Sequence, residues 1–187
     1  MPSSDKIKID PSWTLFLDRD GVINRRPVDD YVRDWQGFEF LPGVKEALAI
    51  LADRFGHIFI VTNQQGIGKN LMTPEDLAGI HREMLNEITA AGGRIDAIYF
   101  CPDLDTKPNN CRKPGTAMAL RAKKHFPDID FSKSIMVGDT ASDMHFGRKA
   151  GMTTVFVGDP TALKNSTLAE HTFTDLPDFA RALTANV

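Results

Sequence analysis

The chain is poor in the residues that mark a specialised architecture. Cys101 and Cys111 are the only two cysteines in 187 residues, too few for a disulfide framework. A hydrophobic core must therefore hold the fold, and a reducing cytoplasm is the expected setting, with both cysteines semi-buried thiols. No apolar run approaches the ~20 residues that span a bilayer. The opening MPSSDKIKIDPS has no apolar signal core. It reads as a polar lead-in over 1–11, and nothing in it directs export. A net charge of −3 supplies no field that would draw in nucleic acid or an anionic membrane, so neither is expected as a partner. The five histidines show no ligand spacing, and no internal repeat or low-complexity segment interrupts the chain.

What is present is an alternation. With 42% hydrophobic residues the chain is long enough to bury a core as one domain over 1–187. Strands are expected at 13–17, 57–62, 95–100, 134–138, 153–157 and, short, at 171–173. Helical spacing of Val44, Ala47, Leu48 and Leu51 predicts a helix there. Another should run over 73–91, with Thr73 as cap, Pro74 in its first turn and Gly92-Gly93 as its stop. Further helices are expected at 115–126, 142–150 and 176–184, and 101–113 reads as an irregular loop. Near-continuous apolar strands such as HIFIVT belong in sheets covered on both faces. The fold class is thus α/β, a three-layer, doubly wound, mostly parallel Rossmann-like sheet with right-handed crossovers.

Ligands bind such sheets beyond the carboxyl ends of the strands. Those ends carry Asp18 and Asp20, then Thr62 with Asn63, then Arg112 and Lys113 at the end of the loop, then Asp139 with Asp143. Acid pairs, a hydroxyl, an amide and a cationic pair suit a phosphoryl group with a divalent cation. A carboxylate that attacks phosphorus faces repulsion of about 4 kcal/mol between like charges at 4 Å, at an effective dielectric near 20. A Mg²⁺ held by oxygen ligands offsets it. Asp18 is the candidate nucleophile, and Asp20, two positions on, can serve as general acid and base. The expected Mg²⁺ set is Asp18, Asp20, Asp139 and Asp143. Lys113 and Thr62 would neutralise and bond phosphate oxygens. Gly21 lets the backbone turn away without a side chain in the pocket.

These segments resemble the haloacid dehalogenase superfamily of phosphatases. The motifs 18-DRDGVIN-24, 60-IVTNQQG-66, 111-CRKP-114 and 138-GDTASD-143 follow its order across roughly 13–158. With 38-FEFLPGV-44 they are similar to the heptose-bisphosphate phosphatases and their histidinol-phosphate phosphatase relatives. The resemblance implies an aspartyl-phosphate mechanism on a small phosphorylated sugar, first choice the 7-phosphate of a heptose 1,7-bisphosphate in envelope polysaccharide synthesis. Histidinol phosphate or another small ester is the alternative, and an idle binding domain on the same scaffold is the alternative of another class. It also implies substrate contacts from Arg112, Asn63, Gln64 and Gln65, and from Asp30 and Tyr31 in the loop after the first motif. Some relatives hold zinc around the third motif. Here Cys101 and Cys111 keep their places, as a vestigial zinc loop, while Asp103 and Asn109 fill the other two, so zinc is not expected. Thr140 stands where heptose phosphatases commonly carry Lys. The gaps 24–42 and 101–113 are too short for a cap domain, and a monomer is expected.

Overall fold

The computed structural model describes residues 7–163 and 165–184. Of the expected lead-in, residues 1–6 lie outside that range, while Ile7 and Ile9 pack against the core.

Among the described residues one sheet carries six strands: β1 (Thr14–Leu17), β2 (His57–Asn63), β3 (Ala97–Cys101), β4 (Ser134–Gly138), β5 (Thr153–Val157) and β6 (His171–Phe173). Their order is β3-β2-β1-β4-β5-β6, and every pairing is parallel. The chain winds outward from β1 in one direction to β3, then returns to the other side of β1 for β4 through β6. That reversal opens a crevice beyond β1, β2 and β4, where neighbouring crossovers leave on opposite faces.

Alternation along each strand feeds two cores. Leu15, Leu17, Ile58, Ile60 and Val137 face α1 (Val44–Ala52), α3 (Pro74–Ala90) and α6 (Leu176–Thr184). Phe16, Phe59, Val61 and Met136 face the opposite layer, α4 (Ala117–His125) and α5 (Ala141–Ala150). Both faces are covered, which is why β1 and β4 are buried at every position. Thr73 and Thr140 each close a capping box with the aspartate three residues on, fixing the starts of α3 and α5.

The sequence-based elements hold to within about two residues at each end. The strand set is wholly parallel, and a single helical turn, α2 (Gln65–Gly68), follows β2 where none is expected. The links from β1 to α1 and from β3 to α4 are loops without a domain of their own. A cleft of about 600 Å³ lies open at the carboxyl edge.

Candidate active site

Each motif acid sits where a strand releases the chain. Asp18 follows β1, and its N–H still donates to Val137 O of β4. Asp139 follows β4, and Asp143 lies one turn into α5. Residues more than 120 positions apart thereby converge. Ligand oxygens of Asp18, Asp139 and Asp143 all lie within 4.8 Å of one another.

Two features keep these carboxylates close. Gly21 has a left-handed φ of 91°, and any Cβ there would collide with Asp139 Oδ2. Lys113, buried, reaches Asp18 Oδ1 at 2.8 Å and Asp143 Oδ1 at 2.6 Å, and donates to Val61 O at 2.8 Å. The Lys113 ammonium is the one partner of the buried Asp143 Oδ1 among the described residues. The other Asp143 oxygen takes the Thr140 hydroxyl at 2.6 Å and the Thr140 N–H at 3.1 Å.

The electrostatics are frustrated. Burial, then the Asp143 carboxylate, push Asp18 up to about 7, with Lys113 opposing. Burial also raises Asp139, against the pull of Arg26. Two buried carboxylates, Asp18 and Asp139, that resist ionisation beside a third fit a small divalent cation that takes oxygen ligands.

Asp20 belongs to a second network. Its carboxylate accepts from Arg19 Nη2 at 2.9 Å, Asn24 Nδ2 at 2.9 Å and Gln64 Nε2 at 2.9 Å. Burial works against its charge, yet the Arg19 guanidinium and the Asn24 amide hold its pKa below the usual range. Arg19 is fully buried and extends behind the site to His81 Nε2 at 3.2 Å. Arginine only donates, so Nε2 accepts and the ring proton sits on Nδ1. Burial, then Arg19, push His81 down to about 3, so the ring is neutral.

The remaining candidates divide by position. Asp18, Asp20, Asp30, Tyr31, Asn63, Gln64, Gln65, Arg112, Lys113 and Asp143 all line the one cleft. Thr62 is buried beneath it, its Oγ1 accepting from Gln64 Nε2 at 2.9 Å. Asn63 and the Lys113 backbone bond reciprocally, at 2.9 and 3.2 Å, locking the second motif to the third. Gln65 donates to Tyr31 Oη at 3.0 Å, and Lys69 lies 5.3 Å over the same ring.

Comparison with known proteins agrees with this geometry. A family model described as HAD-hydrolase-like matches residues 110–179. A heptose-1,7-bisphosphate 7-phosphatase of Mycobacterium bovis is 45% identical over 132 residues, covering 71% of this chain and 70% of that protein. The chain belongs to the haloacid dehalogenase superfamily of phosphatases. A second relative, the heptose-1,7-bisphosphate 7-phosphatase of Burkholderia mallei, is 39% identical over 83% of this chain and 85% of its own length. Among solved structures, the D,D-heptose 1,7-bisphosphate phosphatase of B. bronchiseptica, complexed with magnesium and phosphate, superposes with a TM-score of 0.85 at 30% identity, covering 94% of this chain and 99% of that one.

Acids at the ends of the first and fourth strands meet here, but two expectations need revision. The Asp20 carboxylate is absent from the three-acid group and is spent on Arg19, Asn24 and Gln64; only its backbone oxygen turns toward the group. Gln64 lines the cleft yet is buried, its amide nitrogen tying Asp20 to Thr62. Cys101 and Cys111 are not free thiols. They form a disulfide with Cα atoms 5.5 Å apart, clipping the loop that leads into Arg112.

Sequence reasoning missed Arg19, Asn24, His81 and Lys69, and in the loop after the first motif, 25–32, it singled out Asp30 and Tyr31 rather than Arg26. Arg19 carried one signal, an arginine inside an otherwise buried strand end; His81 carried none, being one polar position on the apolar stripe of α3.

Proposed function

We propose that the chain is a Mg²⁺-dependent phosphomonoesterase that removes the 7-phosphate of a heptose 1,7-bisphosphate through an aspartyl-phosphate. The observation that carries this reading is the meeting of Asp18, Asp139 and Asp143 around Lys113 at the floor of a cleft whose rim bears Arg112 and Lys69. The floor suits the phosphate being transferred. The rim suits a second anion, and Asp30, Asn63 and Gln65 between them suit the hydroxyls of a sugar.

Asp18, Asp139 and the backbone oxygen of Asp20 would hold Mg²⁺, with Asp143 beside them. The ion supplies charge neutralisation between the attacking carboxylate and the phosphoryl oxygens. An Asp18 oxygen attacks phosphorus as the bond to the sugar oxygen breaks. Lys113 and the Thr62 hydroxyl stabilise the equatorial oxygens. Asp20 stands ionised in its network, so it relays a proton to the leaving oxygen from the phosphomonoester itself, whose second pKa is near 6. In the second step Asp20 takes a proton from water, the water oxygen attacks phosphorus, and the bond to Asp18 breaks.

The relatives named for heptose bisphosphates support the substrate class. The test is a kcat/KM panel of the heptose 1,7-bisphosphate anomers, histidinol phosphate and simple sugar phosphates. The reading requires a heptose bisphosphate to lead by about tenfold or more; preference for histidinol phosphate would replace it.

A further inference from the structure

The two arginines after the first motif part company. Asn24 is bridged to Phe40, and the extended chain sends Arg25 outward to a surface pair with Glu39 at 2.9 Å. Arg26 turns inward. Its Nη2 donates to Asp20 O at 2.6 Å and Asp139 Oδ1 at 2.9 Å, and lies 3.5 Å from Asp18 Oδ2. Its Nε is 3.4 Å from Asp139 Oδ2. Two of these oxygens belong to acids of the three-carboxylate group, and the third is the backbone oxygen proposed above to join them around Mg²⁺. A guanidinium nitrogen within 3 Å of two of them and an ion bonding them at about 2.1 Å cannot share that space.

Arg26 is also free to leave. Its side chain is 47% exposed and lines the same cleft as Arg112 and Lys69. Pro27 restricts the backbone of the residue before it, so the side chain, rather than the loop, is the moving part. Charge favours the exchange. Four carboxylates (18, 20, 139 and 143) face three cations (Arg19, Arg26 and Lys113), a formal balance of −1. A divalent ion reverses that sign and makes Arg26 the surplus, least buried cation.

We propose that Arg26 is a specificity-determining residue: it yields its three oxygens to the divalent cation and turns its guanidinium to the substrate's second phosphate, beside Arg112 and Lys69. This deepens the bisphosphatase reading and rests on it for the second phosphate, while the exchange at the metal site stands without it.

Titration calorimetry of the full chain with MgCl₂, without substrate, tests the exchange. Arg26→Gln should bind Mg²⁺ about tenfold more tightly than the unsubstituted protein, the scale of one charge-assisted hydrogen-bond set released, and Arg26→Lys should fall between. Equal or weaker binding by Arg26→Gln overturns the proposal. At saturating Mg²⁺, Arg26→Gln should lower the ratio of kcat/KM for the 1,7-bisphosphate over the 7-monophosphate about tenfold, mainly through KM. An equal loss on both esters would place Arg26 at the transferring phosphate and overturn the assignment to the second one. If heptose esters are not turned over, the functional reading fails by itself, and a hexose 1,6-bisphosphate with its 6-phosphate makes the same comparison.

Discussion

Replacing Lys113 with methionine tests the electrostatic design of the site. The ammonium is buried between Asp18 at 2.8 Å and Asp143 at 2.6 Å. Methionine fills similar space but leaves two carboxylates, whose ligand oxygens lie within 4.8 Å of each other, without their shared counter-charge. Their mutual repulsion at that distance is about 3 kcal/mol at an effective dielectric near 20. Breaking a buried ion pair from one side typically costs about 3–5 kcal/mol, so a loss in that range is expected at pH 8 in EDTA. The pH dependence follows from Asp18, whose folded pKa of about 7 is raised above its ordinary 3.8 by burial and then by Asp143. Such a group favours the folded state at low pH, and that benefit is lost as pH rises through the folded pKa. Without Lys113 the pKa rises further. The variant's deficit should therefore be largest at pH 8 and shrink toward pH 6 as Asp18 takes a proton. Urea unfolding at both pH values, with EDTA and with saturating Mg²⁺, is the assay. Mg²⁺ should restore more stability to Lys113→Met than to the parent. A deficit below about 1 kcal/mol at pH 8, or one that grows toward pH 6, would refute the reasoning.

Other substitutions separate the roles. Asp18→Asn should abolish turnover, with no acid-stable or rapid-quench phosphoprotein; retained activity would remove the nucleophile assignment. Asp20→Asn should keep Mg²⁺ affinity by calorimetry within about threefold, because its side chain is not in the three-acid group, while kcat falls about 10²–10⁴-fold. Gly21→Ala should cost about 1–2 kcal/mol for its left-handed backbone and weaken Mg²⁺ binding about tenfold or more by displacing Asp139; unchanged Mg²⁺ affinity would count against the close approach.

How much of this was legible in the sequence follows from the range of the interactions. Hydrophobic alternation and cap residues act locally, so strands β1 to β6 and the capping residue Thr73 could be read directly. Strand ends in a parallel sheet gather by topology alone, which brought Asp18, Thr62, Lys113 and Asp139 into one region of the chain's map before any coordinates. Roles that depend on side-chain direction could not be read this way. Arg25 and Arg26 are identical neighbours, and only the bridge of Asn24 to Phe40 decides which one faces the acids. Gln64 follows a substrate-facing motif, yet the start of α2 turns its amide inward to Asp20 and Thr62. Arg19 and His81 meet across 62 positions with no shared motif to announce the contact. Pairing of Cys101 with Cys111 likewise depends on how the intervening loop doubles back, with Asp103 Oδ2 accepting the Cys111 N–H at 3.1 Å.

A crystal structure of the protein with Mg²⁺ and trifluoroberyllate, a mimic of a phosphorylated carboxylate, tests the central claim most directly. Beryllium should bond to an Asp18 oxygen, with one Mg²⁺ held by Asp18, the Asp20 carbonyl and Asp139, and Arg26 clear of all three. Beryllium on any other residue, or a magnesium that does not touch both Asp18 and Asp139, would contradict the account.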